Sequence, residues 1–354
     1  RLTLHNQPPV PPPHPLYFSL RDGAPHRGKL WRPMAARQII CAPRVPPGFR
    51  PVPHAVHRAG RSRILRPALL AGRRTKPEAV AAFGSIEEHL AVVQTCAPAG
   101  VHVMVEKPLA VSLDHALQMK ELAEKHKIHL LTNYETTWYA TNHKTFELVT
   151  KDSTIGRIRK MVVHDGHEGP MEIGVNKEFL DWLTDPVQNG GGALMDFGCY
   201  GANLATWLLK GKRPISVTAV TQQLQPENNP LVDDEATIIV TYPDAQVVIQ
   251  ASWNWPIGRK DMELYGLTGV LYADNRNTLR VREAKGYDDY TEEVLKVPDM
   301  KKPYHDPFAF FAAVIQSKIE PPLYDLSSLE NNMLVMEILE AARKSATTKR
   351  TVEL

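Results

Sequence analysis

A chain of 354 residues with 43% hydrophobic content is long enough for two domains with separate cores. It has no apolar run of about 18 residues that would read as a membrane span, and Arg1 leads directly into polar, proline-rich sequence rather than a secretory signal. The net charge of +3 hides an imbalance, because residues 1–80 carry 15 Lys and Arg against only Asp22 and Glu78, whereas the remainder has 27 bases and 37 acids.

Residues 1–84 form an atypical Pro/Arg-rich segment. Fifteen of the 29 prolines lie in the first 80 residues and interrupt most windows of helix or strand length. Three readings compete: a basic arm for nucleic acid, a proline-rich ligand built on Pro8–Pro13, or sequence not under selection for folding. Each predicts poor order. The bases are nearly all arginine with few aromatics between them, which argues against nucleic acid as a partner. Arg73 and Arg74 lack the apolar run of a twin-arginine signal. A mixture of Arg, Pro, Ala, Gly and His is what GC-rich DNA gives when read out of frame, and an out-of-frame start is the expectation for this segment.

From Ser85 the texture changes. Ile86–Ala97 has helical spacing, with Gly100 as its stop, and Val101–Val105 reads as a short buried strand. Ser112 caps a second helix whose stripe is Leu113, Ala116, Leu117, Met119, Leu122 and Ala123, and Ile128–Leu131 is the next strand. This alternation is that of a parallel α/β sheet, whose strand ends host ligands. After Glu135 the pattern changes to longer strands at Ile215–Gln222, Ala236–Tyr242, Gln246–Trp253 and Asp261–Tyr265, with a tight turn at Tyr242-Pro243-Asp244-Ala245. A last helix, Ser327–Thr347, opens with Ser327 and Glu330 as a capping box. The fold class is α/β: a partial Rossmann-type parallel-sheet domain (85–134) followed by an α+β domain (135–354) with a large, mostly antiparallel open sheet. Cys41, Cys96 and Cys199 are too few and too widely spaced for a disulfide framework, contain no CxxC pair and fit a reducing, cytoplasmic setting.

Several motifs in fixed order carry a resemblance. Glu106-Lys107-Pro108 follows a strand and precedes a capped helix, and Asn133-Tyr134 follows the next strand. Gly190-Gly191-Gly192-Ala193-Leu194-Met195-Asp196-Phe197-Gly198-Cys199-Tyr200-Gly201-Ala202-Asn203 then opens a helix. With Asp306-Pro307-Phe308 and Ser327–Asn332, this arrangement resembles the Gfo/Idh/MocA oxidoreductases from about Ser85 onward, and Tyr200 resembles the glucose-fructose oxidoreductase branch, where others carry histidine. The resemblance implies a Rossmann domain for NAD or NADP, a second domain whose open sheet forms homo-oligomers, and a terminal helix that returns to the first domain. Relatives open with a glycine-rich turn that lets the backbone approach a pyrophosphate. The glycines before Ser85 are Gly23, Gly28, Gly48, Gly60, Gly72 and Gly84, no two of them separated by one residue, so NAD against NADP stays open.

Hydride transfer from a secondary alcohol needs a base for the hydroxyl proton and a cation or donor for the oxygen. Lys107 suits the second role, and a phenol at Tyr200 suits the first if a nearby cation favours its ionised form. The resemblance implies Glu106, Lys107, Pro108, Asn133 and Tyr134 at the cofactor, and Asp196, Asn203, His167 and Trp138 at the substrate. As structural alternatives, Asp196 caps its helix, Tyr200 and Trp138 serve the core, and Gly190–Gly192 permit close packing. His164 and His167 have no third ligand at standard spacing, so no metal is expected. Cys199 reads as a small buried residue. The implied activity is an NAD(P)-dependent dehydrogenase or reductase acting on a sugar, polyol or related diol, with no nucleic-acid or membrane partner. Its rivals are an NAD-dependent glycosidase of the same fold and a non-catalytic sugar-binding relative. Lys107→Ala and Tyr200→Phe are expected to abolish most turnover with the fold intact.

Overall fold

The computed structural model describes residues 39–42 and 77–354 except 152, and all of these belong to one compact unit. The expectations for residues 1–38 and 43–76 lie outside the described residues. Regular structure nevertheless starts before Ser85, which corrects the expected boundary. Strand β1 (Ile39–Ala42) pairs antiparallel with β2 (Ala79–Ala82). Four small residues in a row, Ala79-Val80-Ala81-Ala82, offer neither alternation nor strong β-propensity, so this strand escapes a reading by pattern.

Helix α1 (Glu88–Cys96) leads through Gly100, in the left-handed conformation at φ +63°, into β3 (His102–Glu106). The Ser112 hydroxyl caps helix α2 (Leu113–His126) by accepting from the His115 amide at 3.2 Å, and β4 (Leu130–Asn133) follows. β2, β3 and β4 are parallel neighbours, and both faces of this sheet are covered. Val80, Val103, Val105 and Leu130 face one core, while Ala79, Ala81, Met104 and Leu131 face another that contains Phe310, Phe311 and Val314.

Helix α3 (Ala140–Thr150) leads to β5 (Lys160–Gly166), and four helices follow: α4 (Lys177–Leu183), α5 (Pro186–Asn189), α6 (Ala193–Asp196) and α7 (Gly198–Leu208). The remaining strands are β6 (Ser216–Gln222), β7 (Glu235–Thr241), β8 (Gln246–Ser252), β9 (Arg259–Tyr265), β10 (Gly269–Ala273), β11 (Thr278–Ala284), β12 (Tyr290–Lys296) and β13 (Val352–Glu353). They form a nine-stranded sheet with β5, in the order β12-β11-β10-β9-β5-β8-β7-β6-β13. Only the β5–β8 pair is parallel. β7 alternates between half-buried and buried along its whole length, the mark of a sheet with one face in the core. Met161, Val163, Ile238, Ile249, Met262 and Leu264 fill that core beneath α7.

Helix α8 (Pro307–Ile315) is capped by Asp306, and α9 (Leu329–Thr348), the last helix before β13, packs on α2, α7, β4 and β6. The expected cap is corrected by one residue: the Ser328 hydroxyl accepts from the Asn331 amide at 3.2 Å, while the Ser327 carbonyl accepts from the Thr132 amide of β4 at 3.0 Å. No described helix is long and apolar enough to cross a membrane.

Candidate active site

The glycine run places Asp196 by close packing. Gly190 sits at φ +79°, and a Cβ on Gly192 would lie 1.7 Å from the Asp233 carbonyl oxygen, so no side chain fits there. The Asp233 carboxylate accepts from the Gly192 and Leu194 amides at 3.1 and 2.7 Å, and so caps α6 from a separate loop. Asp196 therefore ends α6 rather than capping a helix, and Phe197, at φ −107° and ψ −30°, separates α6 from α7.

Lys107 leaves the end of β3 through a cis bond to Pro108, and its ammonium pairs with Asp196 Oδ1 and with the Asp196 carbonyl oxygen at 3.0 Å. Trp253, fully buried just after β8, donates its indole N–H to Asp196 Oδ2 at 3.0 Å. Burial opposes both charges. Asp196 nevertheless keeps the Lys107 ammonium above its ordinary pKa, and Lys107 keeps the Asp196 carboxyl below the usual carboxylate range. The Lys107 ammonium lies 5.2 Å from the centre of the Tyr200 ring. The Tyr134 ring meets Tyr200 edge-on with centroids 5.4 Å apart.

At the end of β4, Asn133 donates to Glu106 at 2.6 Å and accepts from the Trp138 indole at 2.9 Å. Burial raises the Glu106 pKa, with Asn133 and Lys107 acting against it. Glu106, Lys107 and Asn133 thus stand at the carboxyl ends of adjacent parallel strands, where such sheets hold dinucleotides. Trp138 does not floor this cluster. Its ring packs on Phe310, with centroids 5.5 Å apart, and its polar edge orients Asn133.

His167 lies beside the cluster, its ring edge-on to Phe197 at 5.0 Å. Its Nδ1 accepts from the Gly169 amide at 2.9 Å, which leaves the ring proton on Nε2. Burial lowers its pKa to about 4, so it is neutral at ordinary pH. His164 projects from β5 to the opposite face and pairs with Asp261 at 3.1 Å. Asn203 is a correction. It is fully buried, donates to the Leu326 carbonyl at 2.8 Å and accepts from Asn331 through its backbone, so it joins α7 to α9 and does not face the cluster. Cys199 is buried and free, and burial pushes its thiol well up.

Four further residues belong here and escape the sequence reading. Lys260 of β9 places its ammonium 3.4 Å from the Tyr200 hydroxyl and forms an ion pair with Glu135. Glu135 also accepts from the Tyr139 hydroxyl at 2.8 Å. Asp165 of β5 sits in register with Lys260 and is 1% exposed, with no hydrogen bond to either carboxylate oxygen. Burial drives its pKa well above the usual value, against the pull of Lys260. Trp253 is the fourth. Glu135 and Asp165 adjoin singled-out motifs, whereas nothing local marks Lys260 or Trp253.

A family described as "Oxidoreductase family, NAD-binding Rossmann fold" matches residues 67–134, and "GFO/IDH/MocA C-terminal domain" matches residues 143–272, together more than half of the chain. Trans-1,2-dihydrobenzene-1,2-diol dehydrogenase of Bos taurus is 28% identical over 44% of this chain and 42% of that protein. Myo-inositol 2-dehydrogenase of Thermotoga maritima is 24% identical over 78% of this chain and 80% of that protein. The fold is similar to that of an aldose-aldose oxidoreductase from Caulobacter crescentus, crystallised with glycerol, at a TM-score of 0.66 and 23% identity over 78% of this chain and 79% of that one. The chain spans about half the length of the diol dehydrogenases it matches. The two matched segments, with the parallel strands in the first and the nine-stranded sheet in and beyond the second, show that the chain belongs to the Gfo/Idh/MocA oxidoreductase family.

Proposed function

We propose that this protein is an NAD(P)-dependent oxidoreductase that moves a hydride to or from a carbon bearing a hydroxyl in a sugar, polyol or related diol. The observation that carries the reading is the meeting of Lys107, Asp196 and Tyr200 at the carboxyl end of a parallel sheet. The relatives named for diols and inositol support the substrate class.

Glu106, Lys107 and Asn133 fit the nicotinamide end of the cofactor, because strand-end carboxyl, ammonium and amide groups match its hydroxyls and carboxamide. Pro108 and Tyr134 shape the same region. A nicotinamide nucleotide, when bound, supplies the hydride chemistry. Tyr200 exchanges the hydroxyl proton with the substrate oxygen. Lys107 offers positive charge to that oxygen, and the Asp196 carboxylate accepts from a neighbouring hydroxyl. His167, neutral with its proton on Nε2, donates to a further substrate oxygen. The division of labour follows the fold, with strands β2–β4 serving the cofactor and residues 135–354 the substrate. We extend the proposal to homo-oligomers formed through the outer face of the large sheet, where Arg280 stacks on Tyr272 at 4.3 Å, and to a cytoplasmic location, supported by the small number and wide spacing of the cysteines.

The test combines binding and turnover. Titration with NADH and NADPH is expected to quench intrinsic fluorescence saturably with at least one of them, and myo-inositol, aldoses and cyclic diols are then screened for cofactor reduction. No saturable quenching with either nucleotide overturns the proposal.

A further inference from the structure

Lys107 is committed elsewhere. Its ammonium binds both the side chain and the carbonyl of Asp196, and it meets Tyr200 only across the ring. The Tyr200 hydroxyl is met by Lys260, whose ammonium is 3.4 Å from the oxygen and 4.6 Å from the ring centre. That ammonium is held from the other side by Glu135, on the turn after Asn133-Tyr134. The Lys260 and Glu135 side chains are 21% and 31% exposed, while Tyr200 is 4% exposed, so the pair links a sealed phenol to solvent.

We propose that Lys260, anchored by Glu135, is the positioning residue for the Tyr200 proton, and that Lys107 serves Asp196 and the substrate oxygen instead. This rests on Tyr200 being the group that exchanges a proton with the substrate. In alcohol oxidation the substrate O–H bond breaks and an O–H bond forms on the phenolate, while the hydride of the same carbon passes to the oxidised nicotinamide nucleotide. The phenolate present before that step needs a cation at its oxygen, and Lys260 is the ammonium within reach.

The charge around Tyr200 shows why that cation matters. Lys107 and Glu106 face it from β3, Glu135 from the turn after β4, Asp196 and Cys199 from its own segment, Lys260 from β9 in register with Asp165 of β5, and the Tyr134 ring lies edge-on. Burial first, then Glu135, Cys199, Asp196 and Glu106, hold the phenol protonated. Of the two ammonium groups, Lys107 is neutralised at close range by Asp196. Among the described residues Lys260 alone brings an ammonium to the oxygen, and Glu135 sets how much of its charge Tyr200 feels.

The experiment titrates tyrosinate by ultraviolet difference absorbance without any cofactor, taking Tyr200→Phe spectra as the baseline. Glu135→Gln is expected to bring the Tyr200 signal to lower pH than in the wild type, and adding Lys260→Met to move it back up by roughly one unit or more. Identical curves for Glu135→Gln and the double variant, including no Tyr200 signal in either, overturn the proposal. In turnover, Lys260→Met is expected to lose about 10- to 100-fold in kcat/KM for alcohol oxidation with the pH profile displaced upward, and Lys260→Arg to restore most of it. A wild-type rate and profile in Lys260→Met also overturn it. If the wild-type protein oxidises no alcohol, the broader functional reading falls, and the cofactor-free titration still decides the role of Lys260.

Discussion

On the parallel-sheet side of the site, Glu106, Lys107 and Asn133 stand where neighbouring strands end, each one step from a motif that sets its backbone. On the opposite side, Asp196 and Tyr200 come from two short helices broken at Phe197, Lys260 and Asp165 from paired strands, and Trp253 from the end of another. The first side is positioned by local chain geometry and the second by long-range packing. A substitution on the first side therefore leaves the backbone positions of its neighbours in place, whereas one on the second also disturbs the packing that sets them.

The largest expected effect sharpens this contrast at Tyr200. Tyr200→Phe keeps the ring contacts with Tyr134 and removes only the proton carrier, so turnover should fall by about 10²- to 10⁴-fold with little change in thermal stability. A near-normal rate would remove Tyr200 from the chemistry.

The next effect compares a histidine from each side. Burial lowers both His89, beneath the Pro108-Leu109 turn, and His167 to a pKa of about 4. Between about pH 6.5 and 4 the unfolded chain binds protons that the folded chain does not, so stability falls as pH falls through that window. The sealed His89 should contribute up to about 3 kcal/mol of this loss. Denaturation of His89→Asn across that range should show a shallower acid-side slope than wild type, and an unchanged slope would mean that His89 takes up its proton without unfolding.

The smallest effect concerns Asn203. Because it bonds Leu326 inside the protein, Asn203→Ala should cost about 1–2 kcal/mol in stability and leave KM for the substrate unchanged. A selective rise in KM at constant stability would return Asn203 to the substrate side.

How much of this was legible in the sequence divides along the same line. The helices from Glu88 and Leu113, the strands that follow them, and the pairing of Lys107 with the glycine-led segment were readable, because strand, cap and glycine signals are local. The short strand Ala79–Ala82 lacked any pattern, and β5 at Lys160–Gly166 did not stand out although it lies at the middle of the large sheet. Asn203 was placed at the substrate by the resemblance and by its three-residue spacing from Tyr200, but its side chain bonds the Leu326 carbonyl inside the protein. Lys260 and Trp253 were invisible because an isolated lysine or tryptophan in a strand region reads as an ordinary surface or core residue, and only the β5–β9 register and the close of β8 bring them to Tyr200 and Asp196.

Removing Lys107 would leave Asp196 buried without its cation. A double-mutant cycle on stability with Lys107→Met, Asp196→Asn and both together tests the convergence of the two sides without cofactor or substrate. Lys107→Met alone should cost about 3 kcal/mol, and the double variant should recover at least about 1 kcal/mol relative to additivity. Strictly additive losses would contradict the account, because the ammonium from the strand end and the carboxylate from the helix would then not share one site.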